Sequence, residues 1–490
     1  MTQSVEYNRQ LTYLPSLAHR QQQQLLAAFW MIALGLLIYE LFLPENKSLE
    51  SNFAAILITA AALLPSYLWC SGRAQGMPIF PLFALTYIWT HAFPLNSNYT
   101  RILSYSIESR LFASITTAGF LLIGTLTWYQ FVKSPPKIPK YYRTLNSKTS
   151  NRFFLITMLL AVLFNTVNSS GWLSLDGGSF AIIRGTILAL NVIAVFILSY
   201  KLGTYELSKS QSRLYIFLLI GYIITNSVSL LLVNAASTFL VAVMAFIIGR
   251  KKIPLILILI VVICFSVLHY GKGDMRAKYW SKEQITVVQP WDYPAFYSEW
   301  TGYAFDYINK RDNISKKQQK ESLAERSSLV QMLLTTQTKA PEIKPFLYGE
   351  TYKFIPELLI PRILEPNKIS SHEGTILLSI HYGLQTRKSN YLISWGLLAE
   401  SYANFGIFGC GMLAVILGIF YGKVAKWSIN APIISAQSLF AVLIMTFALQ
   451  TEFTAAVYAA ALSQSVVALV GIVLVLMKNY SAQRFPVLNR

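Results

Sequence analysis

Charge is scarce in this sequence. Only 13% of its 490 residues are Asp, Glu, Lys or Arg, against roughly 25% in a soluble domain, which excludes an ordinary water-soluble fold. Cysteine is scarcer still: Cys70, Cys264 and Cys410 each lie in an apolar run, and no CxxC spacing occurs. A disulfide framework and a cysteine metal cluster are therefore excluded. Acidic residues number 22 against 41 basic ones. No small-residue cleavage pattern follows the first apolar run, which begins near Leu25, so that run reads as a retained helix, not a removed signal peptide.

What the chain has is hydrophobicity in long blocks. It is 54% hydrophobic with a mean hydropathy of +0.46, and its apolar runs match the roughly 20 residues a helix needs to cross a bilayer. Shorter alternating strands, as in a membrane β-barrel, are not the pattern. The fold class is an all-α polytopic membrane protein. Spans are expected near 25–43, 53–70, 79–95, 111–132, 153–169, 179–200, 214–232, 234–249, 253–270, 404–422, 431–451 and 456–477. That makes about twelve transmembrane helices. The apolar stretch from Leu214 to Gly249 has basic clusters on both flanks, which demands an even number of crossings and a break near Asn234.

The net charge of +19 raises the question of nucleic acid, and the position of the charges answers it. One set of connections carries 20 basic residues against Glu6 and Glu206; the opposite short loops carry Lys47, Arg101 and Arg110 against Glu45, Glu50, Glu108 and Asp176. Positive residues stay on the cytoplasmic side, so both termini are expected to be cytoplasmic. The basic excess is a topology signal and no nucleic-acid partner is expected.

One segment departs from the ladder of spans. From Gly271 to Tyr391 the chain is polar, with 17 basic and 13 acidic residues, and the parity of crossings places it outside the membrane. The expected organisation is an N-terminal bundle over 1–270, a mostly helical extracytoplasmic loop over 271–391 between the ninth and tenth spans, and a re-entry segment with about three helices over 392–490. Ionisable residues inside the spans are few. Arg184 lies within one, while Glu40 and His91 sit near span ends, where snorkelling to the interface is the usual arrangement. This paucity disfavours an ion-coupled transporter.

The densest constellation is Pro361-Arg362-Ile363-Leu364-Glu365-Pro366-Asn367-Lys368, then Ser371-His372-Glu373-Gly374 and His381-Tyr382-Gly383. Two of the five histidines fall within it. An apolar, aromatic run from Trp395 to Gly406 follows, and in it Glu400 and Asn404 share a helix face by their i,i+4 spacing.

The stretches Glu325-Arg326-Ser327-Ser328-Leu329, Tyr348-Gly349-Glu350-Thr351-Tyr352, Ile360-Pro361-Arg362, Pro366-Asn367-Lys368 and Leu398-Ala399-Glu400-Ser401-Tyr402-Ala403-Asn404-Phe405-Gly406 resemble the bacterial O-antigen and exopolysaccharide repeat-unit polymerases, the Wzy-like family. The chain departs from the Arg-x10-Gly loop motif of some members, because Gly374 follows Arg362 one residue too late.

The resemblance implies a glycosyltransferase in the bacterial cytoplasmic membrane, acting at its outer face on oligosaccharide repeat units linked through pyrophosphate to a polyprenyl lipid. It also implies cooperation with a flippase and a chain-length regulator. Such chemistry needs cations on a diphosphate, and arginine is a bidentate phosphate clamp with lysine as a point charge. Arg362 and Lys368 are the first candidates, with Arg326, Arg276 and Arg184 as further ones. The acceptor hydroxyl must lose a proton, for which His372, His381 and Glu400 are candidate bases. No Asp-x-Asp occurs in the loop, so no metal and no cofactor are expected.

Blander readings stand beside these. Arg362 could neutralise Glu357 or Glu365 or contact lipid headgroups, Lys368 could be a solvated lysine, and each histidine could be a half-buried ring bonded to backbone. Trp280, Trp291, Trp300 and Trp395 could stack on sugar rings, anchor the chain at the membrane interface or belong to the core of the loop. An O-antigen ligase would use the same chemistry with another acceptor, and a flippase or exporter would need none of it.

Overall fold

The computed structural model describes residues 19–42, 48–137, 139–145, 147–173, 177–250, 254–280, 287–310, 328–360, 365, 368–387 and 392–481. In chain order its main helices begin with α1 (His19–Phe42), α2 (Leu49–Cys70), α3 (Ile79–Tyr87) and α4 (Ile107–Val132). Next come α5 (Ser147–Ser169), α6 (Gly177–Gly203), α7 (Lys209–Ser227), α8 (Leu232–Arg250), α9 (Leu255–Tyr279) and α10 (Tyr293–Lys310). The series ends with α11 (Val330–Lys339), α12 (Ile355–Leu359), α13 (Glu373–His381), α14 (Gly396–Ser428), α15 (Ala436–Ala448) and α16 (Ala455–Val475). Two five-residue strands, Tyr141–Leu145 and Met477–Ser481, are the described β-structure.

Among the described residues nine helices are long and apolar enough to cross a membrane: α1, α2, α4, α5, α6, α8, α9, α14 and α16. This is a polytopic helical membrane fold. The other three expected spans are helical but different in kind. Ile79–Leu95 and Ala436–Ala448 are shorter apolar helices, and α7 opens on the polar turn Lys209 to Arg213.

Serines start several of the helices. Ser48, Ser106 and Ser435 each accept a backbone N–H from three residues on, and Ser208 forms a full capping box with Gln211. Each occupies one of the N–H groups that a helix start leaves without an intrahelical partner.

Contacts divide the chain into two compact units. The described residues of 1–144, 324–467 and 479–490 form one, and those of 145–323 and 468–478 form the other.

In the second unit the long apolar stretch breaks at Val228 to Leu231, a few residues before Asn234. Leu230 takes a left-handed φ of +58° there, and Arg276 Nη2 donates to the carbonyl this turn leaves open, Leu230 O, at 2.9 Å. α9 runs nine residues past the expected span end at 270, and its Gly271 lets α10 come close: a Cβ there would lie 2.5 Å from Trp300 O. Trp300 is wholly buried at this crossing and donates from Nε1 to Leu268 O at 2.6 Å.

In the first unit two groups expected to snorkel are buried instead. Glu40 is 0% exposed because Thr59 of α2 donates its hydroxyl to the carboxylate at 2.5 Å. His91 is 3% exposed, held in a π-helical turn, Ile88–Ala92, with its ring stacked on Tyr87 at 4.6 Å.

Candidate functional site

The C-terminal motifs meet at a break in α14. Phe405 (φ −140°) and Gly406 (φ +60°, ψ −149°) leave the helical path inside this 33-residue element. The conformation at Gly406 is one that essentially only glycine adopts, and a Cβ there would also stand 3.1 Å from the Phe346 ring.

Breaking the helix strips Ala403 O and Asn404 O of their i+4 donors. The loop that carries the Tyr348-Gly349-Glu350-Thr351-Tyr352 motif supplies replacements: Leu347 N donates to Ala403 O at 3.0 Å and Tyr348 N to Asn404 O at 3.1 Å. Buried backbone groups need such partners.

The Asn404 side chain completes the joint. Its Oδ1 accepts from Gly349 N at 2.9 Å, and its Nδ2 donates to Thr351 Oγ1 at 2.9 Å and to Glu400 O at 2.8 Å. The last of these is the i,i+4 relation expected from the sequence. Asn404 and Thr351 are both 0% exposed, and the rings of Tyr352 and Phe405 stack at 6.2 Å beside them. Burial, reinforced by the Glu400 carboxylate, pushes the Tyr352 hydroxyl well above its ordinary range.

Glu400 sits one turn before Asn404 and is 0% exposed. Its Oε2 accepts from Ala455 N at 2.6 Å, the first N–H of α16, where the positive end of that helix favours a carboxylate. Glu400 thus ties α14 to α16 and lies against Thr351. Its place in this joint suits a residue that positions others.

α13 packs on the same joint. Thr375 Oγ1 lies 3.1 Å from Thr454 Oγ1, next to Ala455. Ser379 accepts from Trp395 Nε1 at 2.8 Å, which makes Trp395 a fully buried strut and not an interface anchor. Beside this strut Tyr87, His91, Leu329, Trp395, Ala399 and Tyr458 are among the residues lining a cavity of about 10 Å³, room for roughly one water.

The two histidines bracket α13. His372 is its N-cap residue, and desolvation pushes its half-buried ring below the ordinary imidazole range, which favours the neutral form. His381 closes the helix. Its Nε2–H donates to Pro345 O at 3.0 Å, since a carbonyl can only accept, and this leaves Nδ1 as the lone-pair nitrogen of the neutral ring. Next to it the backbone carbonyl of Tyr382 accepts from Lys339 Nζ at 2.8 Å, and burial pushes the Tyr382 hydroxyl up to about 12.

Of the described basic candidates, Lys368 belongs to the first unit and Arg276 and Arg184 to the second. Lys368 donates from Nζ to Leu358 O and Ile360 O at the end of α12. Arg276, in the second unit, holds the Leu230 turn and covers the Trp280 ring at 4.4 Å. Arg184 lies exposed on α6, also in the second unit. Arg362 and Arg326 lie outside the described residues. Trp291 is 69% exposed and pairs with Trp172 at 6.1 Å. No group of three His, Cys, Asp or Glu that could hold a metal occurs among the described residues.

Residues 321–480 match the family model described as O-antigen polysaccharide polymerase Wzy. The matched segment contains the loop motif, α13, the α14 break and the start of α16, and it is the segment whose motifs resemble that family. No curated protein and no solved structure matches the chain.

Proposed function

We propose, from the match of residues 321–480 to the Wzy polymerase family model, that the chain joins polyprenyl-pyrophosphate-linked oligosaccharide repeat units into O-antigen or exopolysaccharide at the outer face of the cytoplasmic membrane. The observation that carries this reading is the joint itself. Two motifs some fifty residues apart lock onto each other through Asn404, Thr351 and Gly349, and they bring the His372–His381 helix against the membrane helices in the matched segment.

In this reading the acceptor hydroxyl attacks the anomeric carbon of the growing chain. The new C–O bond forms as the bond to the diphosphate breaks, and the diphosphate leaves with both electrons on its lipid. The hydroxyl proton passes to an imidazole, His372 first and His381 second, the side chain that most often carries such a transfer. Cations stabilise the departing diphosphate, a role open to Arg362, Lys368, Arg326, Arg276 and Arg184. Glu400 holds α14 and α16 in register for that chemistry.

Glycan length in cells lacking the protein tests the reading against its rivals. Single capped repeat units mark a lost polymerase. Long chains accumulating on the lipid carrier would mark a ligase, and precursors trapped on the inner face a flippase; either would overturn the proposal.

A further inference from the structure

Arg110 is a buried cation with no ion-pair partner among the described residues. It lies in the second turn of α4, only 9% exposed. Its Nη1 donates to Ser51 Oγ at 2.9 Å, and its Nε is buried without a hydrogen-bond partner. It makes no ion pair among the described residues: Glu50 and Glu108, the acids in the first turns of α2 and α4, are both exposed.

A guanidinium keeps its charge in any environment, and a charge buried without a partner is among the costliest arrangements in a protein. The surroundings add to the positive potential. Ser51 belongs to the first turn of α2, which starts at the Ser48 cap, and Arg110 itself follows the Ser106 cap of α4. Two helix N-termini meet here with a guanidinium that has no ion-pair partner among the described residues, an arrangement that selects an anion with several oxygens.

The same end of this unit carries the family-matched segment. Tyr105 OH lies 3.0 Å from Thr335 Oγ1, and Gln337 Nε2 donates to Thr116 Oγ1 at 3.0 Å, so α11 packs along α4 just beyond Arg110.

We propose that Arg110, with the first turn of α2, forms a phosphate-binding site that grips the diphosphate of the lipid carrier, an assignment that rests on the polymerase reading for its ligand. A bulk phospholipid headgroup offers the same chemistry, and the test separates the two.

The experiment uses the full chain in nanodiscs and measures binding of inorganic pyrophosphate and of polyprenyl diphosphate, in phosphatidylcholine with and without phosphatidylglycerol. Arg110→Gln should weaken both at least tenfold and Arg110→Lys less than threefold. The exposed Arg101→Gln should change neither. Phosphatidylglycerol should not displace the diphosphate; displacement that depends on Arg110 would assign the site to bulk lipid and overturn the carrier assignment.

Unchanged pyrophosphate affinity in Arg110→Gln overturns the site. Should that variant fail to fold, thermal unfolding of the wild type decides instead: added pyrophosphate should raise the midpoint, and no rise overturns the site. Wild type that binds the diphosphate but makes no polymer would remove the polymerase reading and leave this site standing. A polymerising Arg110→Gln with unaltered KM would do the reverse.

Discussion

The Asn404 side chain reaches Thr351 across the break in α14, donating from Nδ2 to Oγ1 at 2.9 Å, and with its Oδ1 it holds Gly349 N at 2.9 Å. One amide therefore joins a loop to a membrane helix where the helix has opened.

Asn404→Leu keeps the volume and removes both functions. It leaves the half-buried Gly349 N–H without its acceptor and the buried Thr351 Oγ1 without its donor, a cost of about 3 kcal/mol for the two together. The unfolding midpoint of the purified variant should fall, and polymer formation with it. A midpoint equal to wild type would show that the joint is not held by this side chain.

Gly406→Ala tests the break by another route. The backbone there sits at φ +60°, ψ −149°, where alanine is strained by about 1–3 kcal/mol. The variant should lose stability by that amount, and trimming the ring with Phe346→Leu should not restore it, because the strain belongs to the backbone. Rescue by Phe346→Leu would instead place the cost in the 3.1 Å contact with that ring.

Much of the membrane architecture was legible in advance, since hydropathy alone located every helix from α1 to α9 that carries a span. What hydropathy could not locate were features set by long-range contacts. The break before α8 falls at Leu230 and not Asn234 because Arg276, 46 residues on, caps the open carbonyl. The pairing of residues 1–144 with 324–467 in one unit leaves no local trace.

The site was legible in part. The motifs that resemble the polymerase family include Glu400, Asn404 and Thr351, yet that these three touch follows only from the chain path. Thr375 and Thr454 carry no signal in the sequence. Arg110 was hidden for a different reason: in a span-end loop it counts as one more charge in a topology tally, and only its burial sets it apart.

Glu400 should separate positioning from catalysis. Glu400→Gln keeps an oxygen for Ala455 N–H and should retain polymer formation within about tenfold, short of the loss expected when a catalytic base is removed. Glu400→Ala orphans that N–H and should lower stability by about 1–3 kcal/mol. Loss of activity in a normally stable Glu400→Gln would return the carboxylate to the chemistry.

His372 gives a pH dependence with a definite sign. Desolvation lowers its pKa from 6.5 in the folded protein, so the folded state binds fewer protons than the unfolded one and stability rises with pH. The contribution is fully present above pH 6.5 and is lost as pH falls through the lower folded value. The slope should be shallower in His372→Ala, measured as unfolding midpoint against pH. The catalytic role adds that activity should persist to more acidic pH than an ordinary imidazole allows.

Purified protein supplied with lipid-linked repeat units, and scored for a ladder of polymer lengths, tests the central claim most directly. Wild type should build the ladder from these components alone, His372→Ala should lower its rate about 10²–10⁴-fold, and Glu400→Gln should stay near wild type. A wild-type sample that returns only single repeat units, or a His372→Ala sample that extends them as fast as wild type, contradicts the account.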